Sequence, residues 1–317
     1  MDFVGKRRWF FLLSVLVILP GIISLAIPSS PGLGPRLRLG IDFAGGTSMT
    51  LSFPQPVAQK DLRQVLDDLG HGDASIQAAG QGRFFIRTRT LAPPLAGQPS
   101  ERERIEKVLG DRFGAPAVEF QAVSALTARQ TVRSAAIAVV IASIGMLLYI
   151  TWAFRKVPSP FRWGVTAIIA LVHDVVVVIG SFSILGRLIG AEVDILFLTA
   201  VLAVIGYSVN DTVVVFDRIR ENLQRGVARD LDTVVNLSLS ETMARSLNTG
   251  LGTIFAVLAI LVLGGPTLRD FLLVFLIGIT SGTYSSIFVA SLLLVSWEKG
   301  ELRRLWPFRR RQPARVA

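Results

Sequence analysis

Apolar residues fall in six runs long enough to cross a bilayer, at 9–27, 134–154, 163–185, 195–216, 244–264 and 271–297. A hydrocarbon core about 30 Å thick asks for about 20 such residues in a helix, so each run predicts one membrane span. The first run follows Lys6, Arg7 and Arg8 and ends near SLAIPS, the outline of a cleavable signal peptide. It is longer than the apolar stretch of about 7–15 residues that such peptides use, so a retained helix, kinked at Pro20-Gly21, is expected.

Between the first two runs the pattern changes period. Met49, Leu51 and Phe53 alternate with Ser48, Thr50 and Ser52, as a half-buried strand requires, and Val57, Leu62, Val65, Leu66 and Leu69 then recur at helical spacing. Two short strand patterns, 74–79 and 83–90, flank Gly-Gln-Gly at 80–82, which reads as a hairpin turn. Ser100 and Glu103 have the spacing of a capping box before a helix that runs to about Phe113, and 117–123 supplies a last strand. The order βαββαβ predicts a small α+β ferredoxin-like domain, a sheet with helices on one face, with 92–99 (APPLAGQP) as its loosest loop. Just before the first strand, the paired Gly45 and Gly46 in LGIDFAGGT permit positive φ or close backbone approach and are the expected hinge.

Charge orients this pattern. Lys and Arg cluster before span one, between spans two and three, after span four and in the tail, whereas 186–194 and 265–270 carry one arginine each, Arg187 and Arg269. Cytoplasmic loops retain basic residues, so both termini are expected in the cytoplasm and the ferredoxin-like domain outside it. The expected division is a cytoplasmic N-terminus at 1–8, span one at 9–27, the extracytoplasmic domain at 28–131, spans two to six within 132–297 and a basic cytoplasmic tail at 298–317. The net charge of +10 then suits a multi-pass cell-membrane protein whose arginine tail meets anionic lipid, with no nucleic acid as partner. Hydrophobic residues make up 51% of the 317 and mean hydropathy is +0.55, in keeping with the membrane class. The absence of cysteine excludes disulfides and thiolate chemistry, and two histidines leave little for a metal site. No nucleophile, base and orienting group cluster in the outer domain, and no Walker or dinucleotide pattern occurs, so neither an enzyme nor a nucleotide cofactor is expected.

What remains unexplained is charge inside the spans. Asp211, with Asn210 beside it, lies within span four, and an unpaired charge at a helix centre costs about 2.5–3.5 kcal/mol. It is expected to face other helices or a wet cavity and to be able to switch its charge. At about 1.5 Å per residue from the outer helix ends, Asp211 lies roughly 26 Å down span four and Arg245 roughly 28 Å down span five, so the two can meet. An arginine that snorkels to the interface is the plainer reading of Arg245 taken alone. His173 and Asp174 form a second pair in span three, but adjacent helical residues point about 100° apart, so a structural hydrogen bond competes with ion relay there. Asp217 and Arg218 read as interfacial anchors. Asn236, Asn248 and the serines of span six read as packing residues.

Four stretches together carry a resemblance: GIDFAGG at 40–46, His173-Asp174, IGYSVNDTVVVFDRIREN at 205–222 and ETMARSLNTG at 241–250. Through them the chain resembles the SecF family, the smaller membrane subunits of the SecDF protein-export complex, and thereby one half of an RND-superfamily transporter. The resemblance implies six helices with a large outer domain after the first, and SecD as obligate partner. It implies work beside the SecYEG translocon, with YajC and unfolded preproteins as further partners in the Sec pathway, driven by the proton motive force or by Na+. It places Asp211 and Arg245 at that family's charged positions, with Asn210 and Asp174 as further relay candidates. The competing expectation is a homodimeric RND-like exporter of a lipid or small molecule.

Overall fold

A computed structural model of the chain describes residues 2–28, 35–72, 74–78, 82–92, 99–265 and 268–301. The hairpin turn, most of the 92–99 loop and the basic tail read from the sequence lie largely outside those residues. The described residues fall into two compact units, one within 1–36, 139–191 and 199–317, the other within 37–138 and 192–198.

The second unit is built on a four-stranded antiparallel sheet, β1 (Gly46–Ser52), β2 (Ser75–Ala78), β3 (Arg83–Thr88) and β4 (Ala117–Val123), in the order β2-β3-β1-β4. With α3 (Gln59–Asp68) between β1 and β2 and α4 (Glu101–Phe113) between β3 and β4, this is the ferredoxin-like arrangement the alternation predicts. Met49 and Leu51 of β1, Ile86 of β3, Leu62 and Leu66 of α3 and Ile105 and Leu109 of α4 close its core. The capping box is formed: Glu103 N donates to Ser100 Oγ at 3.2 Å and Ser100 N to Glu103 Oε2 at 2.8 Å.

One further turn, α2 (Ile41–Ala44), precedes the sheet and ends on the two glycines. Gly45 has φ +76° and Gly46 φ +129°, and a Cβ on Gly46 would lie 2.6 Å from the carbonyl oxygen of Thr88. A β-branched residue there meets strain and a backbone clash together, each of order 1–3 kcal/mol. Gly46→Val is therefore expected to open this unit, read as faster protease cleavage of the sheet in membranes while the apolar helices stay protected. Unchanged protease resistance would contradict it.

Among the described residues, six helices are long and apolar enough to cross a membrane: α1 (Arg7–Ala26), α5 (Ala125–Ala153), α6 (Pro160–Leu188), α7 (Ile195–Arg225), α8 (Leu231–Leu263) and a composite sixth. The sixth consists of α9 (Arg269–Tyr284), a π-helical turn (Ser285–Ala290) and α10 (Ser291–Glu298). Several extend well past their apolar runs because caps and ion pairs, rather than hydropathy, set their ends. Asp230 accepts from Thr233 N at 2.8 Å to start α8, Ser124 accepts from Thr127 N at 3.1 Å ahead of α5, and Arg218–Glu221 and Glu221–Arg225 pairs extend α7.

Within the first unit, α1 packs on α6 where Gly21 and Gly180 face each other; a Cβ on Gly21 would stand 2.6 Å from Gly180 Cα. Glycine at both positions lets the two backbones touch. Near the start of α6, Trp163 stacks on Phe154 and Phe216 meets both edge-on, forming a buried aromatic cluster.

Candidate functional site

The site begins with a stripe of glycine on the sixth span. Gly278 and Gly282 sit one turn apart, and Cβ atoms there would lie 2.5 Å from Val204 Cγ2 and 3.1 Å from Ser208 Cβ. Absence of side chains on that stripe lets α7 close on α9, so the short hydroxyls of Ser208 and Ser281 reach one carboxylate on α6.

Asp174 of α6 occupies the middle of this contact and is 1% exposed. Its Oδ2 accepts from Ser208 Oγ at 2.6 Å and Ser285 Oγ at 2.7 Å, and its Oδ1 accepts from Ser281 Oγ at 2.7 Å. His173 Nδ1 lies 3.1 Å from Oδ1. Three hydroxyl donors from neighbouring helices converge on this one carboxyl group, with the His173 imidazole beside it. The hydrogen bonds to neighbouring helices weighed for Asp174 are thus present.

Asp211, one turn beyond Ser208 on α7, has a different environment. It is 9% exposed; Oδ1 accepts from Ser246 Oγ of α8 at 2.6 Å, and Oδ2 has no hydrogen-bond partner among the described residues. A cavity of about 90 Å³ adjoins it, lined by Tyr207, Asn210, Asp211, Val214, Arg245 and Thr249. Arg245 therefore shares the cavity with the carboxylate, yet no Asp211–Arg245 ion pair within 4.0 Å occurs among the described residues. The direct contact is Ser246, the residue after the arginine.

The π-helical turn reaches Asp174 directly and, through Ser286, the α7 backbone one turn from Asp211. Thr212 Oγ1 donates to Ser286 Oγ at 2.9 Å, and Ser286 Oγ donates to the Ser208 carbonyl at 3.0 Å. Ser285 therefore serves Asp174 while its neighbour Ser286 serves the backbone beside Asp211. π-Helical turns change which faces successive residues present and recur at functional sites.

Elsewhere the residues separate. Arg218 pairs with Glu221 and Glu241, each at 2.6 Å, and Asn236 Oδ1 accepts from Phe3 N and Val4 N at 2.7 and 3.0 Å. Asn248 is exposed. The hydroxyls of Ser208, Ser281, Ser285 and Ser286 were not legible as site residues. The signal was present on span six, where Ser281 and Ser285 lie four apart beside Gly278, Gly282 and Ser286 at the same spacing, the pattern of a close helix contact that needs polar pairing.

The chain is similar to known proteins along nearly its whole length. The family described as "Protein export membrane protein SecD/SecF, C-terminal" matches residues 106–300, and "SecD/SecF GG Motif" matches residues 33–57. The SecF protein translocase subunit of Thermobaculum terrenum is 45% identical over 324 residues, covering 100% of this chain and 99% of that protein. That of Anaerolinea thermophila is 41% identical over 319 residues, with 99% of each covered. The crystal structure of SecDF from Thermus thermophilus, a translocon-associated membrane protein, superposes with TM-score 0.79 at 32% identity over 94% of this chain. This chain covers 39% of that one, and 39% of the Bacillus subtilis SecDF chain, to which it is 32% identical.

Proposed function

The chain belongs to the SecF family of protein translocase subunits, and from that premise we propose that it moves protons through the membrane at Asp211 to drive late steps of protein export. As a multi-pass SecF-type subunit it is a transport protein rather than an enzyme, and the SecDF fusions point to a SecD-type chain as its partner. In this reading the pair stands beside the SecYEG translocon with both termini in the cytoplasm and draws preproteins out on the opposite side. The sheet unit turns about Gly45 and Gly46.

The observation that carries the reading is the contrast between two buried carboxylates. Asp174 is saturated by three serines, whereas Asp211 has one oxygen bonded to Ser246 and the other without a partner beside a cavity that also holds Arg245. Asp174 serves the relay as its fixed, fully hydrogen-bonded member. Asp211 is the member that takes up and releases H+, with Asn210 at the cavity wall. One proton crossing about 150 mV releases roughly 3.5 kcal/mol, comparable to the about 2.5–3.5 kcal/mol that separates a charged from a neutral side chain at a helix centre. Neutralising Asp211 removes its attraction to Arg245 across the cavity, which converts a proton step into a helix or side-chain displacement.

If the two act in one step, Arg245→Ala and the double variant with Asp211→Asn should lose the gradient-stimulated part of export to the same extent as Asp211→Asn alone. Additive losses, measured in vesicles with and without an imposed gradient, would separate them. The orientation is testable because the chain has no cysteine. Lys60→Cys should react with an impermeant thiol reagent added outside, and Gln224→Cys should not; the reverse labelling would invert the topology.

A further inference from the structure

The motif stretch before the sheet is tied to the head of the helix that carries Asp211. Gly40 N donates to the Val193 carbonyl at 2.8 Å, and Val193 N donates to the Arg38 carbonyl at 2.7 Å, so Leu39 and Val193 pair as in a parallel sheet. Asp42 then crosses to α7. Its Oδ2 accepts from Ile195 N at 3.1 Å, while Asp194 Oδ1 accepts from Phe197 N at 2.8 Å. The first N–H groups of a helix have no partner within the helix, and the dipole there favours negative charge. Two carboxylates answer that need at α7, and one of them comes from 153 positions earlier in the chain. Gly40 makes the approach possible: a Cβ there would stand 2.9 Å from Asp194 Cβ, although its φ of −67° suits any residue. All these contacts lie inside the one compact unit formed by 37–138 and 192–198.

We propose that Asp42 is a positioning residue that straps residues 38–42 to the head of α7, so that the Gly45–Gly46 corner rides on the helix that holds Asp211. This rests on the relay reading above. α7 is unbroken from Ile195 to Arg225, and Asp211 lies about 24 Å along it from its first residue. A displacement of α7 set by the charge on Asp211 then reaches the strap directly, one turn before the two positive-φ glycines. The strap is a permanent joint, and motion of the sheet takes place beyond it.

The test uses the full chain together with its SecD-type partner and reads the gain in export on imposing an ion gradient. Asp42→Ala should reduce that gain about five-fold, the factor matching loss of one helix cap. Asp42→Asn, whose amide oxygen can still accept from Ile195 N, should recover to within about two-fold. In the Asp42→Ala background, a disulfide between Leu39→Cys and Val193→Cys should restore the gain when oxidised and lose it when reduced, which a merely structural role for Asp42 would not produce. In the chain with Asp42 intact, the oxidised pair should leave the gain unchanged; this arm stands even if Asp42→Ala fails to insert. A full gain in Asp42→Ala, a failed rescue by the oxidised pair, or a block by that pair with Asp42 present would each overturn the strap. Asp211→Asn measured alongside separates the two ideas. If it keeps the gain, the relay reading falls; if it loses the gain while Asp42→Ala keeps it, the strap alone falls.

Discussion

Asp211→Asn is expected to leave the chain inserted and bound to its SecD-type partner while abolishing the part of export that depends on the ion gradient. The amide keeps the size of the side chain, and its oxygen can still accept from Ser246 Oγ, the carboxylate's hydrogen-bond donor in the structure. Only the titratable charge is lost. Folding is therefore disturbed little, since removal of a partly unsatisfied buried carboxylate relieves desolvation as much as it removes attraction to Arg245. The coupling loses its switch altogether, so the gain from a gradient should fall to the level seen without one. The measurement is export into vesicles with and without a proton gradient, with membrane levels and partner recovery as controls.

Asp174→Ala is expected to do the opposite, damaging the membrane unit itself. Ser208, Ser281 and Ser285 come from α7, α9 and the π-helical turn, and all three hydroxyls converge on this carboxylate. An unsatisfied buried donor costs about 1–3 kcal/mol. Serine in a helix can turn back to the carbonyl four residues earlier, which holds each penalty near the low end, about 1 kcal/mol. The sum, about 3 kcal/mol, is a large fraction of a typical folding free energy of about 5–15 kcal/mol. A clear fall in the thermal unfolding midpoint of the purified protein in detergent is expected, with Asp174→Asn milder because the amide oxygen still accepts hydroxyls. Equal midpoints for Asp174→Ala and the natural chain would show that the serines do not depend on the carboxylate.

Much of this organisation is legible from residue order because it is set by local periodicity. The six apolar runs, the alternation of Met49, Leu51 and Phe53, the Ser100–Glu103 cap and the positive φ at Gly45 and Gly46 each follow from neighbours in sequence. Helix ends are less legible. α8 begins at Leu231, well before its apolar run, because Asp230 caps it and Glu241 is paired with Arg218. Depth allows Asp211 and Arg245 to meet and the family resemblance pairs them, and both line one cavity, but depth fixes only one coordinate of a helix. Rotation about α8 turns Ser246 toward the carboxylate and leaves Arg245 on the exposed side. The serines around Asp174 were assigned no role because a hydroxyl has no fixed partner until the helices are packed. The π-helical turn that presents Ser285 and Ser286 together is a tertiary outcome with no signature in residue type.

The central claim, that Asp211 passes protons through the membrane, is tested most directly by proton entry into vesicles that hold the chain with its SecD-type partner, measured with a trapped pH indicator under an imposed potential. The account predicts entry above that of protein-free vesicles for the natural pair and no such excess for Asp211→Asn. Equal proton entry in the two would contradict it.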